Sequence, residues 1–471
     1  MEEVRHNCGF CVAHKLDDCV DFTKQLQHRG RDAFGIVAIG YNRIDAGKWI
    51  GQAKKIDIFD LHKIFPSDRY HTYFGHVRYT TQGKKDVPLE ILLNEAHPHV
   101  IGGIPDYRGN HVIIRNCDAA AVHNGKVEHT HLQCIDSALL KTSCDTEALL
   151  WFFHHYGERG LLNEIPGAYT LAIADNRHKN VMVVRDCHGT RPGVLGLKGG
   201  KYCVSSEDSA LLEEGGHFFE DLMPGAVYYL HPEGSYHVEQ VARPNLRHCF
   251  FEWNYIADTH SILDDIPVRV LRMRLGAALA KEFRPADIDI VTFLPRCPEL
   301  AAIRYARETN LPFMPVFYKL DSERAFQGPT SEERRLSIKN NLYLLDEAIP
   351  LIRGKNVLVI DDSIVRGNNV RHARDLLYRF GNVKKAYLGS YTPKIGIVGA
   401  DGNPRGCLFG VDMPPTDTFI ARGRTQEDIN KELAMEVGYL SVDGMLNVFE
   451  SMGMSREHLC TFCIGGKHPY E

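Results

Sequence analysis

Cys8-Gly9-Phe10 stands behind a short polar segment, Met1 to Asn7. A thiol there gains unusual chemistry once the leading residues are removed. Its own α-amine, titrating near ~8, can take the thiol proton without a separate histidine. Taken alone, Cys8 reads more simply as an ordinary buried thiol. It is followed in order by Leu26-Gln27-His28-Arg29-Gly30, Gly75-His76-Val77-Arg78-Tyr79-Thr80-Thr81, His123-Asn124-Gly125 and Cys144-Asp145-Thr146-Glu147. These strings gather a thiol, an amide beside a glycine, two arginines and a carboxylate.

The second half carries the run from Val357 to Gly367, with Asp361, Asp362, Ser363 and Arg366 inside it. An apolar strand runs into two adjacent carboxylates and then a Ser/Gly loop that opens a helix. Such a loop presents backbone N–H groups to a phosphate, and the carboxylates suit ribose hydroxyls, directly or through Mg²⁺. An ordinary strand-to-helix turn with Asp caps is the plainer alternative. Near the end, Cys460-Thr461-Phe462-Cys463 spaces two thiols so that both reach one metal. By itself that pair reads as a zinc half-site, a redox pair or chance.

The ordered strings of the first half resemble the class II glutamine amidotransferases, which are N-terminal nucleophile hydrolases. The resemblance implies that residues 1–7 are a propeptide removed by self-processing and that Cys8 attacks the glutamine carboxamide. It gives the oxyanion hole to the Asn124 side chain and the Gly125 backbone N–H, a site where backbone can approach substrate closely. Arg78 would pair with the glutamine α-carboxylate, Asp145 would bind its α-amino group, and Arg29 would support the nucleophile's terminus. His28, His76 and His123 are expected as structural hydrogen-bonders rather than ligands or bases.

The Val357–Gly367 run closely resembles the phosphoribosyl diphosphate loop of type I phosphoribosyltransferases. Asp361, Asp362, Ser363, Arg366, Gly367, Asn368 and Asn369 would bind that substrate, with Mg²⁺ at Asp361 and Asp362. The order of the halves, with Cys249-Phe250-Phe251-Glu252 and Gly410-Val411-Asp412-Met413-Pro414, resembles the amidotransferases that join both activities. They release ammonia from glutamine and pass it to C1 of 5-phosphoribosyl 1-diphosphate, giving phosphoribosylamine, the first step of purine synthesis. An iron–sulfur branch of that family implies a 4Fe–4S cluster on Cys249, Cys407, Cys460 and Cys463, pinning the C-terminal tail, with zinc as the runner-up. It also implies a homotetramer inhibited by purine nucleotides.

Departures gather at the second site. The family's Pro-Asp-Ser-Gly is here Pro295-Arg296-Cys297-Pro298, and sulfur is a poor Mg²⁺ ligand. The usual Thr-Thr is Asn368-Asn369, and the flap's Arg-x-Lys-Leu reads Lys339-Asn340-Asn341-Leu342. Either Arg296 supplies positive charge where Mg²⁺ would otherwise sit, or the acceptor is not phosphoribosyl diphosphate; the rival readings are a paralogue with a working glutaminase but another acceptor, and a non-catalytic nucleotide sensor.

These strings need rigid supports. At 471 residues the chain is long enough for two cores, with 44% hydrophobic and 24% charged residues. A net charge of -5 without a basic run argues against nucleic acid or an anionic membrane as partner. No membrane-spanning stretch or secretory signal is read, which suggests a cytoplasmic protein. The 13 cysteines lack disulfide-scaffold density, so Cys11, Cys19, Cys117, Cys134, Cys144, Cys187 and Cys203 are expected as packing thiols.

The fold expected is α/β: a four-layer αββα N-terminal nucleophile hydrolase domain plus a doubly wound phosphoribosyltransferase domain. Strands are predicted at residues 35–40, 73–79, 168–174 and 181–185, a helix at 145–154 capped by Asp145 or Thr146, and a last strand at 227–230 after Pro224-Gly225. Beyond them, helices are predicted at 271–283 and 300–309, and buried strands at 288–294 and 356–360. The divisions expected are 1–7, 8–245, 246–425 and a polar helical tail at 426–471, with 319–341 as a flap.

Overall fold

The computed structural model describes residues 8–78, 87–319 and 342–470. The propeptide at 1–7, the Tyr79-Thr80-Thr81 end of one motif and the Lys339-Asn340-Asn341 string lie outside the described residues, as does the 319–341 flap beyond Lys319.

Alternation along the strands of the first half builds its layers. In strand Gly9–Ala13, Phe10 and Val12 face a core shared with Val37, Phe74, Val122, Ala172 and Val183. Cys11 and Ala13 turn the other way, onto Leu16, Cys19, Val20 and Phe22 of helix Leu16–Gln25. Strand Ala168–Asp175 does the same on the far side. Its Ala172 and Ala174 join the shared core, while Leu171 and Ile173 meet Leu149, Leu150 and Phe153 of helix Asp145–Glu164. The result is helix, sheet, sheet, helix, the four-layer order expected.

Several predicted elements differ from the sequence reading in instructive ways. The helix at 145 runs on to Glu164 and is broken at Gly157, whose φ is 71°. Its N-cap is Cys144, with no side-chain cap. Asp145 does not cap because its Oδ2 accepts from the Val127 N–H at 2.7 Å, across to a neighbouring loop. Strand Ala226–Leu230 is followed by another, Tyr236–Gln240, paired to it antiparallel.

In the second half, strands Ile290–Phe293, Asn356–Asp361, Lys385–Ser390 and Glu436–Tyr439 form a parallel sheet in that order. Helices cover both faces. Leu358 and Ile360 pack toward Leu275, Leu279 and Tyr305, while Val357 and Val359 pack toward Leu376, Leu377 and Leu433. This is the doubly wound arrangement. The stretch after residue 425, expected as a polar helical tail, instead supplies the sheet's edge strand at Glu436–Tyr439. Two helices frame it, at Gln426–Leu433 and Val442–Glu450. Among the described residues no helix is long and apolar enough to cross a membrane.

Candidate functional site

Cys8 precedes strand Gly9–Ala13, at the edge of the shared core, and is half-buried. Its carbonyl accepts from Arg29 Nε at 3.1 Å. Arg29 is wholly buried, which is tolerable only because it is paired. Its guanidinium reaches Glu207 on one side and both oxygens of Glu252 at 3.0 and 3.1 Å on the other. Glu252 also binds Arg191 Nη1 at 2.8 Å, and Arg191 Nη2 donates to the Phe409 carbonyl at 2.5 Å. The group holding Cys8 is thus tied to residues from both halves. The Arg29 and His28 cations hold the Glu207 carboxyl well below the usual range against the cost of burial. Sequence reasoning found Arg29 but not Glu207, Glu252 or Arg191, which have no shared spacing.

Asn124 lies on strand His111–Lys126, and its side chain is fully buried. Neither its Oδ1 nor its Nδ2 has a hydrogen-bond partner. A buried amide left wholly unsatisfied calls for an absent ligand. Gly125 has φ 150°, and a Cβ there would sit 2.0 Å from the Ala168 carbonyl oxygen, so only glycine fits. Asp145 begins the helix behind it, and Arg78 ends strand Thr72–Arg78, half-buried and donating to the Glu95 carbonyl.

Around these lie histidines. His76 Nε2 bonds the His123 carbonyl at 3.0 Å. His123 bonds Thr146 Oγ1 at 2.9 Å and the Ala168 carbonyl at 3.4 Å. The expectation that His28, His76 and His123 make structural hydrogen bonds agrees with this geometry. Burial lowers His76 to about 3 and His97 well below its ordinary value, so both rings are neutral at pH 7.

The second candidate site opens where strand Asn356–Asp361 ends. Burial, and each other's charge, push Asp361 well up, and Asp362 rises to about 6 mainly through burial. Ser363 Oγ donates to Asp362 Oδ2 at 2.8 Å. Gly367 takes φ 76° to start helix Asn368–Arg379, so Asn368 and Asn369 form its first turn. Arg366 turns aside from the loop: its Nη2 pairs with Asp417 and donates to the Asp412 carbonyl at 3.3 Å, leaving buried Nη1 unsatisfied. Cys297 Sγ donates to the Asn254 carbonyl at 3.3 Å, and burial pushes its thiol up to about 12. It behaves as a packing thiol and not as a metal ligand.

Cys249, Cys407, Cys460 and Cys463 all line one pocket of roughly 320 Å³, walled by Phe250, Phe251, Phe409, Val411 and Met413. Cys249 and Cys460 face each other in a parallel strand pair. The Phe409 and Val411 N–H groups both point at Cys407 Sγ, 3.4 Å away, as they would at a thiolate. Burial pushes the Cys249 thiol up to about 12, so ionised sulfur here needs a compensating cation. Among the described residues, no three of these sulfurs lie within 4.8 Å of one another. A mononuclear tetrahedral zinc would draw its sulfurs to ~3.8 Å.

A layered nucleophile-hydrolase domain with a fully buried, unsatisfied amide on one strand, joined to a doubly wound domain with an acidic strand-end loop, matches a glutamine amidotransferase joined to a phosphoribosyltransferase-like domain. A glutamine amidotransferase domain model matches residues 109–232. The amidophosphoribosyltransferase of Methanothermobacter thermautotrophicus is 27% identical, covering 99% of this chain and 95% of its own. That of Methanocaldococcus jannaschii is 29% identical, covering 95% and 93%. The glutamine phosphoribosylpyrophosphate amidotransferase of B. subtilis, solved with ADP and GMP, superposes with a TM-score of 0.79 at 25% identity, covering 98% of this chain and 97% of its own. Over nearly its whole length the chain is similar to amidophosphoribosyltransferases.

Proposed function

We propose that the protein hydrolyses glutamine at Cys8 and passes the ammonia to C1 of 5-phosphoribosyl 1-diphosphate. The observation that carries this is the Asn124 side chain, fully buried with neither polar atom satisfied. An oxyanion formed by attack of Cys8 Sγ on the glutamine carboxamide would accept from Asn124 Nδ2 and the Gly125 N–H. Arg29, by holding the Cys8 carbonyl, positions the thiol and the α-amine that takes its proton. Arg78 and Asp145 would take the glutamine carboxylate and amine.

In the second domain, Asp361 and Asp362 suit ribose hydroxyls, directly or through Mg²⁺. Their raised proton affinity supports that role, since a buried pair of carboxylates gains most from a cation. Mg²⁺, when bound there, would neutralise the diphosphate leaving group. Ser363, Gly367, Asn368 and Asn369 would present the helix start to the phosphate. A second reading, another acceptor, draws on Cys297, whose thiol is bonded to the Asn254 carbonyl, and on Arg366, whose Nη2 is bonded to Asp417 and the Asp412 carbonyl. The domain divisions at residues 245 and 425, the tetramer, nucleotide inhibition and a cytoplasmic setting remain part of the same proposal.

The test is glutamate release from the purified protein. Release should rise with phosphoribosyl diphosphate and Mg²⁺, with phosphoribosylamine formed in step. Release indifferent to both would favour the second reading, and none would end the proposal. Gly125→Ala should cut release by about 10²–10³-fold, because the added methyl meets the Ala168 carbonyl and displaces the oxyanion donor.

A 4Fe–4S cluster on Cys249, Cys407, Cys460 and Cys463 fits the shared pocket and the spread of its sulfurs better than zinc does. Bound there, it would be structural. The tail beyond it reaches the first domain, where Tyr470 Oη lies 3.2 Å from Thr190 Oγ1 and His468 Nε2 3.3 Å from Glu128. Cys407→Ser should lose bound iron and sulfide and lower the melting point by roughly 5–10 °C. Full iron content in that variant would exclude Cys407 as a ligand.

A further inference from the structure

The rings around Cys8 hold a feature that the amidotransferase reading does not use. One ligand atom each of Cys8, His76 and His97 lie within 4.8 Å of one another, and the His76 and His97 rings stack at 4.1 Å. Hydrogen bonding settles which ring nitrogen each histidine offers. His76 Nε2 must donate, because its partner is the His123 carbonyl. That leaves a lone pair on Nδ1, which is buried and without a partner.

The second ring follows from a chain of three bonds. His123 Nε2 donates to the Ala168 carbonyl, so His123 Nδ1 accepts from the Thr146 hydroxyl. With its proton so used, Thr146 Oγ1 accepts from His97 Nε2, 2.8 Å away. His97 Nδ1 is therefore also a bare lone pair, buried and without a partner. Two buried imidazole nitrogens left as bare lone pairs, on rings that lie within reach of the Cys8 thiol, are a cost unless something electrophilic completes them.

We propose that Cys8 Sγ, His76 and His97 form a binding site for a borderline-soft divalent cation of the Zn²⁺ type, which occupies the nucleophile and reversibly silences glutamine hydrolysis. Two imidazoles and a thiolate are a suitable donor set, and the fourth position stays open as in a three-ligand zinc site. Zn–N and Zn–S bonds of about 2.0–2.3 Å set ligand atoms less than 4.8 Å apart, a spacing that these three side chains already meet. A second trio, His97, His99 and Cys144, shares His97, so only one ion fits at a time. The first placement is favoured because the Cys144 thiol already donates to Asp145 Oδ1 at 3.6 Å. Binding needs no net redox change: the thiol proton leaves to solvent as the metal–sulfur bond forms. The consequence for glutamine, but not the binding itself, rests on Cys8 being the nucleophile.

The experiment uses the full chain with its iron–sulfur content measured first. Zn²⁺ is titrated by calorimetry, and Co²⁺ is added as a spectroscopic stand-in, read by its thiolate charge-transfer and ligand-field bands. One Zn²⁺ per chain should bind. His97→Gln should weaken that binding about 10–100-fold. Cys8→Ala should remove the charge-transfer band, and Cys144→Ser should leave it. Zn²⁺ should also stop glutamate release, and a chelator should restore it. Zn²⁺ binding unchanged in both His97→Gln and Cys8→Ala overturns the proposal, as does a charge-transfer band lost in Cys144→Ser alone. Specific binding without any glutaminase would uphold the site and defeat the amidotransferase reading instead.

Discussion

Cys8→Ala is expected to reduce glutamate release by on the order of 10⁴-fold or more, with the fold and the iron content unchanged. The size of the loss follows from what the thiol does. As the proposed nucleophile it would form the bond that splits amide hydrolysis into two easier steps, which a methyl group cannot do. The innocence toward folding follows from position. Cys8 is half-buried, and the strand after it is anchored by Phe10 and Val12 in the shared core. The same variant should keep residues 1–7. In the proposed self-processing, Cys8 Sγ would attack the Asn7 carbonyl, the amide would become a thioester, and water would release the segment while the freed nitrogen became the α-amine. Intact mass measures this directly. A variant that has lost the segment would make processing the work of another protease, and undiminished glutamate release would remove Cys8 from the chemistry altogether.

How much of this was legible depends on whether the cause is local. Strand Val181–Arg185 was read with both ends correct, because a short fully buried apolar run between polar neighbours has few other solutions. Strand His111–Lys126 was not, because His111, Arg115 and Asp118 break its pattern where it passes the edge of the core. Strand Glu436–Tyr439 is too short and too polar to announce itself, and only its pairing with Lys385–Ser390 makes it a strand. The site divides the same way. Cys8, Asn124, Gly125, Asp361 and Asp362 sit in compact strings. His97 and Glu252 join the site through folding alone, and no spacing in the sequence links either to Cys8. Arg366 shows the opposite case: a residue in the right string whose side chain is drawn away by Asp417.

The buried network under Cys8 sets the second large effect. Arg29→Met should destabilise the protein by about 3–5 kcal/mol, since removing one partner of a buried pair strands the others. Glu207 and Glu252 would both lose a cation; Glu207 would keep His28, and Glu252 would keep Arg191. Methionine matches much of the arginine stem, so packing is a minor part of the loss. Acid gives the discriminating sign. In the native protein Glu207 has a folded pKa held below its unfolded value near 4.5, so its stabilisation is present above that pH and is lost as pH falls through the folded value. In Arg29→Met the same carboxylate has lost one of the two cations that depress its pKa, so protonation relieves it and less stability is lost on acidification. The gap between the two proteins in urea unfolding should therefore be widest near neutral pH and should narrow as pH falls through the variant's Glu207 pKa towards the lower native one. Any loss of the proposed cluster in acid would be shared by both and would cancel in that difference. A gap that stays constant down to the lowest pH at which both proteins remain folded would mean that Arg29 acts through shape and not through charge, and would separate the support of the nucleophile from the ion pairs that join the two halves.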